Sequence, residues 1–468
     1  MLFSSSVFLF LFLPITLCIY YNPWTRNKRC NREFRNIFLL LASLFFYAWG
    51  EPVFVFLMLF SIIINWIISL QMEKEKAHKK VWLICSVVVN IGIIFYFKYL
   101  TFVLKNINYL VGGKWNIPEI ALPIGISFFT FQILSYIFDV YYGKVGAQKK
   151  LYKFALYVAM FPQLIAGPIV RYSQIAEEID SRQENRMDFN DGIIRFCWGL
   201  GKKVIFSNYM GMIADNMFYL SKQSEISVVA AWIGAFAYTA QIYYDFSGYS
   251  DMAIGLGKAF GFHFQENFNY PYISKSITEF WKRWHISLSS WFRDYVYIPL
   301  GGSRVSAVKV FWNTFLVWLL TGIWHGANWT FIVWGLGYFC LLMIERKLKL
   351  TDGIKGFGHI YTIFWVNLLW VIFRADNFAL ALKYISEMFG KSGVILGSEA
   401  VEAINGSWLL FVVACIFTLP ISRWIADKLR LTEQCRKNIR SILALPIFIL
   451  CVAKCVVSAY NPFIYFNF

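Results

Sequence analysis

The first thing this sequence has little of is charge. Only 15% of its 468 residues are Asp, Glu, Lys or Arg, whereas a soluble globular protein carries about 25%. Hydrophobic residues make up 58%, and they form repeated apolar runs of about 20 residues, each long enough to cross a hydrocarbon layer ~30 Å thick. The weak alternation of a transmembrane β-barrel is missing. The sequence therefore predicts an all-α polytopic membrane protein, with roughly eleven transmembrane helices plus re-entrant or interfacial helices.

Several catalytic and binding motifs are also missing. The nine cysteines include no CxxC pair, so we expect no metal site and no disulfide. The glycine-rich pieces "LPIGISFF" and "LIAGPIV" lack the lysine of a phosphate-binding loop. Gly248, in "GYSDM", does not belong to a GxSxG nucleophile elbow. No polar stretch is long enough for a second folded domain, so residues 1–468 are predicted to form a single integral membrane domain.

The charge that is present is mostly positive, with a net value of +17. Two basic clusters, "RNKRCNREFR" (26–35) and "EKEKAHKK" (73–80), lie at the two ends of an apolar hairpin. Basic loops of membrane proteins lie on the cytoplasmic side and face anionic lipid. We therefore expect a multi-pass protein of the cell membrane, with membrane lipids as partners, no nucleic acid, and an extracytoplasmic N-terminus.

A histidine in the stretch "TGIWHGANW" is the first candidate for chemistry. His325 lies near the centre of an uncharged apolar region, 309–344, that is too long for one comfortable span. Gly322 and Gly326 bracket it, which favours a helix interruption at mid-depth. A titratable ring inside a bilayer is by default a candidate functional residue. The alternative is a histidine that bridges two helices structurally.

The neighbours of His325 add to this candidate site. On an unbroken helix, Thr321, His325, Asn328 and Trp329 would share one face. Thr321, His325 and Asn328 have polar side chains, and such a face is not expected to point at lipid tails. We take Asn328, Trp329 and Trp324 as residues that line the site.

A second histidine lies in "ITEFWKRWHISLSSWFRDYVYIPLGGSR". Trp281, His285 and Ser289 are spaced to share a helix face, and the nearby charges argue against a membrane span there. The stretch is predicted to be an interfacial or re-entrant helix with aromatic anchors. Its basic residues, Arg283 among them, would meet either lipid headgroups or a phosphate-bearing donor.

A pair of carboxylates follows an apolar span in "QIYYDFSGYSDMAIGLGKAFGF". Asp245 and Asp251 would tune a histidine, bind a cation or cap a helix. Capping is the simplest interpretation, because Ser250 or Asp251 before "MAIGLGKAF" is a favourable N-cap.

These motifs together carry a resemblance. The segments "FPQLIAGPIVR", "YYDFSGYSDMAIG", "NFNYPY", "FWKRWHISLSSWFRDYVYIPLGG" and "TGIWHGANW" resemble the membrane-bound O-acyltransferase (MBOAT) family. The bacterial branch that acts in alginate O-acetylation and teichoic acid D-alanylation is the most similar, and within it the polysaccharide O-acetyltransferases. The resemblance runs almost end to end, and several long motifs between residues 241 and 329 occur in the family's order.

The resemblance implies a helical bundle with a central tunnel and transfer of an acyl group from a thioester to a hydroxyl. It also implies that His325 is the family's essential histidine and His285 its second. We therefore expect His325 to act as general base, His285 to orient the donor or the acyl carbonyl, and Arg283 to hold donor phosphates. The other substrate-binding candidates are Asn328, Trp329, Trp324, Trp281, Ser289, Asp245 and Asp251.

The expected donor is acetyl-CoA from the cytoplasm, with no tightly bound cofactor and no metal. The expected acceptor is an extracytoplasmic cell-surface polysaccharide, reached with a separate esterase-like extracytoplasmic acetyltransferase as partner. Two alternatives stay open at this point. One is D-alanyl transfer to teichoic acid from the phosphopantetheine thioester of an acyl carrier protein. The other is a non-enzymatic transporter in which His325 is a proton relay.

Overall fold

A computed structural model describes residues 1–22, 30–350, 356–405, 408–458 and 460–464. Throughout these ranges the regular structure is helical and no strand occurs, which confirms the predicted all-α class. The chain forms two compact units. The first contains Met1–Phe196 and Ser250–Gln265, and the second contains Cys197–Tyr249 and Glu266–Phe468. The prediction of a single membrane domain stays a prediction.

The described residues of the first unit contain ten α-helices, the last of which continues past Phe196 into the second unit. They are Leu13–Tyr20 (α1), Cys30–Ala48 (α2), Phe54–Lys74 (α3), Lys79–Ile94 (α4), Leu100–Leu110 (α5), Ile126–Tyr141 (α6), Leu151–Ala159 (α7), Phe161–Leu164 (α8), Tyr172–Ser181 (α9) and Arg186–Gly201 (α10). The apolar stretch 152–170 is broken into α7 and α8, and the polar stretch after it contains α9.

Buried polar side chains hold helices of the first unit together. Asn90 on α4 donates to Asn65 Oδ1 on α3 at 2.8 Å, and Ser86 donates to the same oxygen at 2.6 Å. All three side chains are buried. Between apolar helices the hydrophobic effect does not distinguish a helix from lipid, so hydrogen bonds of this kind contribute to their pairing.

A charged cluster ties α1 and α2 to the loop after α9. Glu184 accepts hydrogen bonds from Tyr20 and Arg32, both at 2.6 Å, and Arg35 lies 2.9 Å away. Burial alone would raise the pKa of Glu184, but these hydrogen bonds and the charges of Arg32 and Arg182 lower it to about 2. The carboxylate therefore stays ionised far below neutral pH.

Within the described ranges, the second unit contains twelve α-helices, the second of which ends in the first unit. They are Asn208–Gln223 (α11), Val228–Ala259 (α12), Ile277–Arg283 (α13), Ile286–Phe292 (α14), Ala307–His325 (α15), Trp329–Lys347 (α16), Gly358–Arg374 (α17), Phe378–Met388 (α18), Ser398–Ile404 (α19), Trp408–Phe417 (α20), Ile421–Lys428 (α21) and Glu433–Val457 (α22).

The predicted break in the apolar region 309–344 is present. α15 ends at His325, Gly326 is extended with φ 176°, and α16 begins at Trp329. The two helices then pack closely, because a Cβ added to Gly322 would lie 2.6 Å from the carbonyl oxygen of Phe331. Small residues permit this close approach between membrane helices. α16 also contacts α13 and α17.

Five helical segments of the described chain are long and apolar enough to cross a membrane. They are Phe54–Lys74, Lys76–Leu110, Ala307–His325, Trp329–Lys347 and Glu433–Val457. The pair Trp408–Phe417 and Ile421–Lys428, bent by 73°, gives a sixth if it is one broken span. The predicted figure of about eleven crossings stays a prediction.

Two local predictions are wrong. Helix α12 runs through Ser250 and Asp251 to Ala259, so neither residue caps a helix. Trp281, His285 and Ser289 do not share a helix face, because α13 ends at Arg283 and the chain turns at His285, whose φ is +43°. A left-handed residue between two short helices reorients everything that follows it.

Candidate active site

His325 is the last residue of α15, and aromatic rings surround it. Its side chain is buried, with 4% of its surface exposed. The rings of Trp334 on α16 and Phe373 on α17 meet the imidazole edge to face, with centroids 4.8 and 5.2 Å away. The neighbouring Trp324 ring lies at 4.9 Å. The imidazole is therefore held in a largely apolar environment that restricts access of water.

The residues after His325 form the turn between α15 and α16. Asn328 caps α16 by accepting from the backbone N–H of Thr330 at 3.2 Å, and its amide donates to the carbonyl of Asp376 at 2.8 Å. Trp329 is 54% exposed. Because the helix breaks before them, Asn328 and Trp329 do not continue the helix face of His325, as an unbroken helix would require. Their predicted role in substrate binding stays a prediction.

His285 lies at the junction of α13 and α14 and is fully buried. Its Nδ1 is 3.2 Å from Oδ1 of Asn267, and the ring of Phe246 meets it edge to face at 4.6 Å. Burial lowers the pKa of His285 to about 3, because desolvation penalises the charged form. The imidazole is therefore neutral at physiological pH.

One side chain connects the surroundings of the two histidines. The ring of Trp324 lies 5.9 Å from that of His285 and 4.9 Å from that of His325. Both histidines thus belong to one aromatic cluster of the second unit. Trp324 was a predicted lining residue, and the structure places it in contact with both rings.

Trp281, another predicted substrate-binding residue, lies farther along the same aromatic cluster. Trp281 is buried against Trp318, Tyr338 and Trp334, with centroids 4.7, 4.9 and 5.8 Å away. Trp334 in turn contacts His325. Trp281 therefore supports the wall behind that histidine.

The helix that carries Trp281 is fixed at its start by a buried carboxylate. Glu345, on α16, accepts from the backbone N–H groups of Ile277 and Thr278 at 2.5 and 2.9 Å. It also accepts from the Thr278 hydroxyl at 2.7 Å. Sequence reasoning missed this residue, since it lies 68 positions from Ile277 and nothing in the spacing relates the two.

Two further candidates in this region already have local partners. Arg283 pairs with Glu279 at 2.9 Å and donates to the carbonyl of Asn269 at 3.1 Å. The backbone N–H of Ser289 donates to the carbonyl of His285 at 3.1 Å. These contacts give both residues structural roles, and their predicted contacts with substrate stay predictions.

The two aspartates each take part in an ion pair. Asp245 is 2.5 Å from Lys203, and the two side chains are only 1% and 3% exposed. Asp245 also accepts from the backbone N–H of Ile464 at 2.8 Å. Asp251 pairs with Arg195 at 2.7 Å in the first unit. Ion pairing is the role that the structure gives both carboxylates.

The comparison with known families decides which chemistry this site serves. The sequence model of MBOAT, the membrane-bound O-acyltransferase family, matches residues 146–381, a stretch that contains both histidines and Asn267. The chain belongs to the membrane-bound O-acyltransferase family. It is therefore an acyl-transferring enzyme of the membrane and not a non-enzymatic transporter.

Two relatives of this O-acyltransferase match over its full length, and a third matches about half of it. A probable alginate O-acetylase of Pseudomonas putida is 39% identical over 100% of both chains. A peptidoglycan O-acetyltransferase of Helicobacter pylori is 33% identical over 100% of this chain and 98% of its own. A teichoic acid D-alanyltransferase of Bacillus subtilis is 30% identical over 47% of this chain and 58% of its own. The resemblance inferred from the motifs is confirmed.

Proposed function

We propose that this O-acyltransferase moves acetyl groups from cytoplasmic acetyl-CoA toward hydroxyls of an extracytoplasmic cell-surface polysaccharide. The observation that carries this proposal is the full-length similarity to relatives named for alginate and peptidoglycan O-acetylation. The D-alanyl relative matches only about half of the chain, so D-alanyl transfer is the second candidate.

The proposed general base is His325. As a hydroxyl oxygen attacks the thioester carbonyl, its proton passes to the imidazole, a C–O bond forms and the C–S bond breaks. The proton then leaves with the thiolate as the CoA thiol. A positioned base of this kind contributes about 10²- to 10⁴-fold in rate. The rings of Trp334 and Phe373 support the role, since they restrict the water that would otherwise hydrolyse the thioester.

The proposed path brings donor and acceptor to His325 from opposite membrane faces through a tunnel. The basic clusters 26–35 and 73–80 support a cytoplasmic entrance on their side and an extracytoplasmic N-terminus. A separate esterase-like extracytoplasmic transferase completes the proposal. That expectation derives from the resemblance to two-part polysaccharide O-acetylation systems.

The test uses the purified protein in liposomes. One assay supplies radiolabelled acetyl-CoA with either alginate or peptidoglycan fragments, and a parallel assay supplies a carrier protein loaded with labelled D-alanine. We expect label to leave acetyl-CoA and not the carrier. His325→Gln should abolish this transfer. The matched control is His78→Gln, because His78 lies in an exposed turn with its side chain 68% exposed. Transfer from the carrier alone would replace the acetyl proposal, and wild-type turnover in His325→Gln would remove the base assignment.

A further inference from the structure

We infer that Asn267 is a positioning residue that holds the His285 imidazole with its proton on Nδ1 and presents Nε2 as a hydrogen-bond acceptor. This step rests on the proposed function only where it concerns the substrate. The proton assignment itself follows from the contacts around Asn267. Those contacts involve two stretches of the second unit, around residues 267–269 and 283–287.

The first step is the identity of the Asn267 atom that faces His285. The backbone N–H of Ser287 points to the same atom at 3.2 Å. A backbone N–H only donates, so this atom is the amide oxygen and not the nitrogen. The Ser287 hydroxyl donates to it as well, at 2.9 Å.

The second step is the proton on the ring. His285 Nδ1 lies 3.2 Å from this accepting oxygen and 3.4 Å from the Ser287 hydroxyl. Because the hydroxyl hydrogen goes to the nearer Asn267 oxygen, at 2.9 Å, Nδ1 carries its own hydrogen and donates it to Asn267. A neutral imidazole has one N–H, and its partner selects which nitrogen bears it. Nε2 is therefore left with its lone pair. It is buried and has no hydrogen-bond partner within the chain as far as the structure describes it.

The third step is that the backbone around His285 is fixed and its ring is packed. The backbone N–H of Ile286 donates to the carbonyl of Asn267 at 3.0 Å, and that of Asn269 donates to the carbonyl of Arg283 at 2.9 Å. These two bonds join residues 267–269 to the chain just before and just after His285. Phe246 packs against the ring at 4.6 Å. The left-handed backbone at His285, which is strained for a residue other than glycine, is held by this frame.

The consequence is that His285 accepts a hydrogen bond from the substrate and donates none to it. An unprotonated Nε2 accepts a hydrogen bond and offers none to an acyl carbonyl oxygen. In the proposed reaction, His285 therefore accepts from the hydroxyl of the incoming acceptor and orients it. It does not polarise the acyl carbonyl, which was one of the two roles expected from the sequence. Asn267 affects the reaction through its contact with His285.

The direct test reads the tautomer without any turnover. The full-length protein is labelled with ¹⁵N-histidine, and the His285→Gln variant identifies the signal of that ring among the five histidines. We expect a protonated Nδ1 and a bare Nε2 at neutral pH. Asn267→Ala should shift His285 toward the other tautomer. The control is Asn313→Ala, since Asn313 is a buried asparagine of the same unit that donates to Leu300 and Gly302 carbonyls. A protonated Nε2 in the wild type would overturn the inference.

A kinetic test adds the functional consequence. With acetyl-CoA and alginate fragments, we expect Asn267→Ala to lower kcat about 10- to 100-fold, as for other residues that orient a functional histidine, and to leave the KM for acetyl-CoA unchanged. Asn267→Asp keeps the accepting oxygen and should rescue kcat. Its charge raises the imidazole pKa, so the acidic limb of the pH profile should move to higher pH.

Equal losses in the Ala and Asp variants would reduce Asn267 to a folding role and contradict the inference. If the wild type removes no acetyl group from acetyl-CoA, the proposed function fails while the tautomer measurement still stands. The two failures are therefore distinguishable.

Discussion

Removing the charge of Asp245 should destabilise the protein strongly. Asp245 and Lys203 are 2.5 Å apart and at most 3% exposed. Asp245→Asn keeps an oxygen for the N–H of Ile464 but leaves the lysine ammonium buried without its counter-charge. Breaking a buried pair in this way costs about 3–5 kcal/mol, a large share of the 5–15 kcal/mol typical of a folded protein.

The assay is the apparent unfolding temperature of the detergent-purified protein, with acetyl transfer measured alongside. Asp245→Leu and Lys203→Met should each lower it, and the double variant should recover most of the loss, because no uncompensated charge remains. Asp251→Asn is the control. Its ion pair with Arg195 is partly exposed, at 19% and 28%, and such pairs contribute about 0–1 kcal/mol.

One result would refute this reasoning. If Asp245→Asn unfolds at the wild-type temperature but transfers no acetyl group, the carboxylate acts on substrate, as the sequence suggested. The ion pair would then be incidental to stability.

Two further predictions concern the turn after His325 and the charged cluster of the first unit. In Gly326→Ala the new Cβ meets the ring of Phe331, which packs on the Phe373 ring beside His325. Acetyl transfer by this variant should fall, while its helicity by circular dichroism stays unchanged. The control is Gly92→Ala, which should match the wild type because the space around its Cβ is open. Normal activity in Gly326→Ala would argue against a tightly packed site. The pKa of Glu184 is lowered from 4.5 to about 2. Its contribution to the free energy of unfolding is therefore complete above pH about 4.5 and is lost as the pH falls toward 2. The size of this contribution is about 3 kcal/mol. Unfolding temperatures measured across that window should decline less in Glu184→Gln than in the wild type, and parallel curves would contradict the assignment.

Much of the architecture was predictable because apolar length is a strong signal. The helical class and the break beside His325 follow from charge-free runs and from a histidine bracketed by glycines. The same evidence does not fix how many segments cross. Two described helical segments, Phe8–Tyr20 and Ile126–Tyr141, are apolar but short. Whether such a helix crosses the membrane depends on neighbouring helices, which composition does not reveal.

The site was less predictable, for a reason that concerns backbone geometry. The spacing of Trp281, His285 and Ser289 indicates one helix face only if the helix is continuous. A left-handed φ at a residue other than glycine leaves no mark in the sequence. Asn267 lies 18 positions before His285, and that separation has no helical or strand period. Contacts of this kind depend on how the chain folds back, which local patterns do not encode.

The discontinuous make-up of the first unit has a consequence for biogenesis. Its main stretch ends at Phe196, but Ser250–Gln265 belongs to it as well, and this late stretch supplies Asp251 for Arg195 and the Phe260 carbonyl for Tyr20. A ribosome must therefore deliver the intervening residues before the earlier half reaches its native contacts. Nascent chains stalled between residues 196 and 250 should therefore have a protease-sensitive N-terminal region. The quality-control machinery of the membrane encounters the first unit before it can fold, so the two units do not fold one after the other during synthesis.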